Sequence, residues 1–143
     1  DMAKAGRLLD AALAGDDLKG AEAGEAHLDR ARARAALNDP TSARADLDLA
    51  LKLVPDDPLA WLLSSTLARR SGDLPRARTD IADALKRAPD DPSVALEAGN
   101  IAILSGADAA ARTAWEAAVR IAPESPAGKA AADALKRLGA PQQ

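Results

Sequence analysis

His27, the acidic pairs Asp56-Asp57 and Asp90-Asp91, and the stretch Ser125-Pro126-Ala127-Gly128-Lys129 are the residues of this chain whose types could do chemistry. His27 is the only histidine, and no thiol or carboxylate constellation surrounds it in the sequence. A catalytic histidine needs an orienting partner, so His27 is expected to be a packed or half-exposed structural residue. The acidic pairs lack the alternating spacing and closing glutamate of a calcium loop. The Ser125–Lys129 stretch lacks the first glycine, the hydroxyl after lysine and the preceding strand of a phosphate loop. With no cysteine, thiolate metal sites and disulfides are excluded. No metal site, no cofactor and no enzyme activity are expected.

The acidic pairs have a better explanation in the elements around them. Pro55-Asp56-Asp57-Pro58 returns as Pro89-Asp90-Asp91-Pro92 and again as Pro123-Glu124-Ser125-Pro126, each copy 34 residues after the last. The first proline of each copy follows an amphipathic run and stops a helix. Asp57, Asp91 and Ser125 then stand where an N-cap belongs, with Pro58, Pro92 and Pro126 at the first helical position. Midway between copies lie Asn38-Asp39-Pro40, Ser71-Gly72-Asp73 and Ser105-Gly106-Ala107. Asn38, Gly72 and Gly106 suit the left-handed residue that closes a helix. Asp39 and Asp73 suit the next cap, and Asp108 is expected to cap one residue late. Each unit is therefore helix, tight turn, helix.

Composition agrees. Alanine and leucine dominate, there is no Phe or Tyr, and β-branched and aromatic residues are scarce, which favours an all-α chain. The balance of 19 basic and 22 acidic residues is mild. The pI near 5.1 argues against a nucleic-acid binder. No apolar run approaches the roughly 18 residues of a membrane span. A start at Asp1 rather than Met suggests a trimmed or processed piece of a larger protein, with any targeting segment removed.

A constant 34-residue period of helix hairpins resembles the tetratricopeptide repeat. Units fall at 24–57, 58–91 and 92–125. Trp61, Ser65, Ala77, Ala84 and Pro89 match the family pattern in the second unit. Gly99, Ala111, Trp115, Ala118 and Pro123 match it in the third, and Ala31, Ala43, Leu47, Ala50 and Pro55 in the first. His27 takes the place of Trp61 one unit earlier. Departures are Arg34, Ala68 and Ala102 at the family's tyrosine, and Arg30, Ser64 and Ala98 at its leucine. The resemblance implies a right-handed superhelical solenoid of stacked antiparallel hairpins. Residues 126–139 read as a capping helix and 140–143 as a tail. Residues 1–23 hold a helix over 2–14, broken at Gly15, Asp16 and Asp17. This segment is a cap or, preferably, a degenerate upstream repeat.

The resemblance also implies a protein or peptide partner, bound in a concave groove lined by the first helices. Carried onto this chain, the groove positions are Leu28, Leu62, Leu96 and Ala130; Arg32, Thr66, Asn100 and Ala134; Ala35, Arg69, Ile103 and Arg137; and Glu25, Leu59, Ser93 and Ala127. The leucine ladder is expected to face the partner, with packing between helices as the alternative. Arg32 and Arg69 flank the ladder and suit an acidic group. The branch of the family that clamps acidic chaperone tails uses a Lys-Asn-Asn-Lys-Arg set whose positions are Leu28, Arg32, Leu63, Ser93 and Glu97 here, which argues against that ligand. A groove without stacking aromatics argues against RNA. A bacterial assembly or envelope-biogenesis factor is the expected role, in cytoplasm or periplasm. The rival is a structural module that forms homo-oligomers through the stack ends or residues 1–23.

Two outcomes test this register. Ala84→Phe forces bulk into a close helix crossing and is expected to cost about 1–3 kcal/mol in urea unfolding. Replacing Leu62 and Leu96 with Asp is expected to abolish partner capture with melting largely unchanged, and equal loss of both would make them core.

Overall fold

The computed structural model describes residues 1–14 and 20–140, so the expected break at Gly15, Asp16 and Asp17 and the last three tail residues lie outside the described residues. Eight helices and no strand occur among the described residues: α1 Met2–Ala14, α2 Gly20–Ala36, α3 Pro40–Leu53, α4 Pro58–Arg70, α5 Leu74–Arg87, α6 Pro92–Leu104, α7 Asp108–Ile121 and α8 Pro126–Leu138. The helix ends follow the turn chemistry. Asn38, Gly72 and Gly106 have φ of 62°, 83° and 78°, the left-handed conformation. The amides of Asp39, Asp73 and Ala107 then reach back to the carbonyls of Arg34, Ala68 and Ala102, the closing bond of a helix that ends on a left-handed residue. Asp57 caps α4 through the Leu59 amide at 2.9 Å, and Asp91 caps α6 through Ser93 at 2.8 Å. Asp39, Asp73 and Ser125 cap α3, α5 and α8. Two boundaries differ from expectation. Asp108 does not cap α7: it is the first helical residue, and Ala107 at the cap position offers no side-chain bond. α2 starts at Gly20, four residues before the repeat, because Gly20 takes the positive φ and the alanine-rich run behind it continues the helix.

Helices pair as α2–α3, α4–α5 and α6–α7, with each hairpin stacked on the next and α8 on the last. The six small second-helix positions Ala43, Ala50, Ala77, Ala84, Ala111 and Ala118 are all 0 % exposed. At these points the backbones approach most closely. Leu47, Ile81 and Trp115 fill the space between them and are buried too. Three apolar clusters result, strung along the chain instead of gathered in one centre. Each fully buried leucine or isoleucine contributes about 1.5–3 kcal/mol, and the stabilisation is shared between neighbours. The chain is a helical solenoid. The backbones of first helices approach one another directly, α2 with α4, α4 with α6 and α6 with α8, whereas those of α3, α5 and α7 stay farther apart, and α5 reaches α3 through the Arg76–Asp48 side-chain bridge. The stack therefore bends with the first helices on the inside.

Trp61 and Trp115 do different work. Trp61 Nε1 donates to the Pro55 carbonyl at 2.7 Å, tying the start of α4 to the preceding helix stop. The Arg87 guanidinium lies over its ring, 5.0 Å from the centroid. Trp115 lies inside the third hairpin, where Gly99 makes room for it: a Cβ on Gly99 would collide with the Trp115 indole. The same two places hold Ser65 and Ile81 in the second unit and Ala31 and Leu47 in the first.

At the N-terminus, Asp10 of α1 meets Arg30 of α2 twenty residues on, the spacing at which Arg44 of α3 meets Ser64 of α4. α1 thus lies on α2 much as α3 lies on α4.

Gly99→Ala is expected to cost about 1–3 kcal/mol in urea unfolding. The double variant Gly99→Ser/Trp115→Ile, which copies the second unit's pair, should recover most of that loss. A Gly99→Ala protein as stable as the parent would show that the indole is not wedged against α6.

Candidate functional site

The inner face carries two hollows that gather half of the expected groove positions. One, of about 230 Å³, lies between α2 and α4 and is lined by Arg32, Ala35, Thr66 and Arg70, with Ala31, Leu63 and Leu67 below. The other, of about 580 Å³, lies between α4, α6 and α8. Its walls include Arg69, Asn100, Ile103, Ala134 and Arg137, five positions expected of the groove. The structure thus brings Arg32 together with Thr66, and Arg69 together with Asn100 and Ile103. Trp115, Leu104 and Leu138 complete the second hollow. Their role was not read from the sequence. Trp115 belongs to a second helix and reaches the inner face only because Gly99 lets it through. Its Nε1 donates to Asn100 Oδ1 at 3.2 Å.

The leucine ladder does not line either hollow. Leu28 is 0 % exposed within the first apolar cluster, so the expectation that it contacts a ligand is corrected. The small residues around it let α2 sink against α3, and the side chain is sealed. Leu59, Leu62 and Leu96 are half-buried and pack against the first, second and third clusters respectively. The Leu62/Leu96 double Asp variant would therefore disturb packing as well as the inner face. Among the chaperone-clamp positions, Glu97 is buried and accepts from Arg69 Nε at 2.5 Å. An acidic residue thus stands where that clamp needs a base.

The two family departures on the first helices turn out to be a polar ladder. Asp46 of α3 is 1 % exposed. It accepts from Arg30 Nε at 2.9 Å and Nη2 at 2.6 Å, from Arg34 Nη1 at 2.6 Å, and from His27 Nδ1 at 3.0 Å. One unit later, Ser64 Oγ donates to buried Asp80 at 2.5 Å and accepts from Arg44 at 2.7 Å. Arg76 joins Asp80 to Asp48. In the third unit the corresponding residues are Ala98, Ala102 and Ala114. Charge on one helix is thus matched by charge on the next, and alanine by alanine. The 34-residue grid held this signal, because Arg30, Ser64 and Ala98 align as Asp46, Asp80 and Ala114 do. His27 has no carboxylate constellation around it in the sequence, but the fold brings Asp46, 19 residues on, to its ring. The carboxylate is already filled by two guanidinium groups, so the pair orients helices. Burial pushes the Asp46 carboxyl up, but the hydrogen bonds from Arg30 and His27 and the charges of Arg30 and Arg34 outweigh it and hold it below the usual carboxylate range. The same hydrogen bond to Asp46 raises Arg30, against its own burial.

Comparison with known proteins agrees with this architecture. Two tetratricopeptide repeat family models match, one over residues 24–67 and the other over residues 62–126. The chain belongs to the tetratricopeptide repeat family, whose helical repeats form scaffolds for protein–protein interaction. No curated protein matches it. Among the described residues, no helix is long and apolar enough to cross a membrane.

Asp46→Ala is expected to cost roughly 1–3 kcal/mol at pH 7, because it leaves half-buried Arg30 and Arg34 with only the exposed Asp10 as counter-charge. The triple variant Arg30→Ala/Arg34→Ala/Asp46→Ala, which copies the third unit, should cost less than that single change. Acid should weaken the parent by the same route. A carboxyl held low in the folded state stabilises fully above its unfolded pKa of about 3.9, and that contribution is lost as pH falls through the folded value. Urea midpoints measured from pH 7 to pH 3 should therefore fall more steeply for the parent than for the triple variant.

Proposed function

We propose that this chain is a non-enzymatic scaffold that captures a segment of a partner protein along the inner face of the stack. The observation that carries this reading is the alignment of two apolar-floored hollows at successive first-helix junctions, built from Arg32 and Thr66 in one and Arg69, Asn100 and Ile103 in the other. Helices that pack side by side this way form a trough, and hollows in a trough accept side chains of a bound chain. The Glu97–Arg69 pair speaks against the acidic chaperone-tail clamp. The alanine-rich, arginine- and aspartate-rich composition suits a bacterial assembly or envelope-biogenesis factor. α1 fits a degenerate second helix of a preceding unit better than a separate cap, given the matching twenty-residue spacing of its contacts.

A second reading has one observation in its favour. α1 has no buried residue and leaves Met2 and Leu8 46 % and 62 % exposed, a surface suited to self-association. The mass of the isolated chain by light scattering separates the two.

Filling the hollows is the direct test. Thr66→Arg with Ile103→Arg should reduce partner capture from an extract of the source organism at least tenfold, with a melting temperature within a few degrees of the parent. Undiminished capture, or a dimer that buries the inner face, would remove the groove from the mechanism.

A further inference from the structure

The charge lining the two hollows is not the charge of the chain. The chain carries a net charge of -3. Yet among the described residues the only ionisable ones lining the first hollow are Arg32 and Arg70, and those lining the second are Arg69 and Arg137. No carboxylate of the described residues lines either. Arg69 is met by buried Glu97 at its side. Arg32 has Asp29 at 4.0 Å on its own helix, with the two side chains 46 % and 57 % exposed, an arrangement that neutralises little. Arg70 and Arg137 have no acidic partner among the described residues. The acidic majority of the chain is spent elsewhere: on caps at Asp39, Asp57, Asp73 and Asp91, and on the ladder at Asp46 and Asp80.

Resting on the groove reading above, we propose that the segment captured is acidic and extended, with apolar side chains for the two hollows and carboxylates between and beside them. The ridge between the hollows is the C-terminal end of α4. Arg70 faces the first hollow there and Arg69 the second. Neighbouring helices lie roughly 8–10 Å apart, which an extended chain spans in about three residues. The residues between two anchors then cross the Arg69–Arg70 ridge, where acidic side chains are matched. A helical segment would press its intervening apolar face onto that charged ridge and lose. Electrostatic complementarity of this kind selects the partner and rejects basic segments.

The test is selection of ten-residue peptides from a fully randomised display library on the intact chain, and in parallel on Arg70→Glu/Arg137→Glu. Both positions are solvent-exposed, so the variant should melt with the parent. The expected result is enrichment of peptides with apolar residues about three apart and acidic residues adjacent. These should lose at least tenfold in affinity on the variant and weaken with added salt. Neutral or basic peptides that bind parent and variant alike, and are lost on Thr66→Arg/Ile103→Arg, would overturn the acidic assignment while leaving the groove intact. Enriched peptides insensitive to both variants, or no enrichment at all, would overturn both. A labelled oligouridine that binds the parent more tightly than any selected peptide would assign the arginines to phosphate instead.

Discussion

Close approach of two helices within each hairpin is the constraint on which everything else rests. Ala43, Ala50, Ala77, Ala84, Ala111 and Ala118 have no exposed surface. A larger side chain at any of them would push the hairpin apart. That tight crossing leaves one wide gap per unit, filled by Leu47, Ile81 or Trp115, and these residues carry the stack from one hairpin to the next. Because the crossing recurs every 34 residues, so do the caps and stops at its ends. The bend of the stack follows from the same geometry, with the backbones of first helices closer to one another than those of second helices.

Within that frame the units trade residues in matched sets. Trp115 needs Gly99, whereas Ile81 and Leu47 tolerate Ser65 and Ala31. Arg30 and Arg34 need Asp46, Ser64 needs Asp80, and Ala98 sits with Ala114. Buried ion pairs of this kind repay desolvation only when their hydrogen bonds are complete. Asp46 meets that condition with three donor side chains. Such a set accepts only one alignment of α2 on α3, since a shift along the axis would strand a charge. α1 is held by the same residues, through Asp10 to Arg30 and Arg34. The N-terminal helix is thus joined to the stack by polar contacts more than by buried apolar surface, in contrast to α8, where Ala131 and Ala134 sink into the third cluster.

The inner face inherits its character from what the core does not use. Leucines at the ladder positions are drawn down into the clusters, and what remains on the surface is Arg, Thr, Asn and the edges of Ile103 and Trp115. Apolar floors with arginine walls are therefore a consequence of packing. They also place Trp115 beside the larger hollow, within reach of anything that enters it.

Much of this was legible along the chain. The period, the stops, the left-handed closures, the caps and the small crossing positions are local or strictly periodic. A residue's neighbours three, four or 34 places away determine them, and the physics of proline, glycine and N-caps operates at that range. Thr66, Asn100, Ile103 and the arginines were expected on the inner face because the family resemblance carries its groove positions onto the 34-residue grid. What only the tertiary structure decided was depth. Leu28 and Leu96 share one periodic position, yet the first is sealed and the second half-buried, because sealing depends on the residues packed around each. The arrival of Asp46 beside His27, and of Trp115 at the second hollow, likewise joins residues of different helices. Sequence determined the scaffold and its facing; three-dimensional packing determined which of those facing residues a partner can reach.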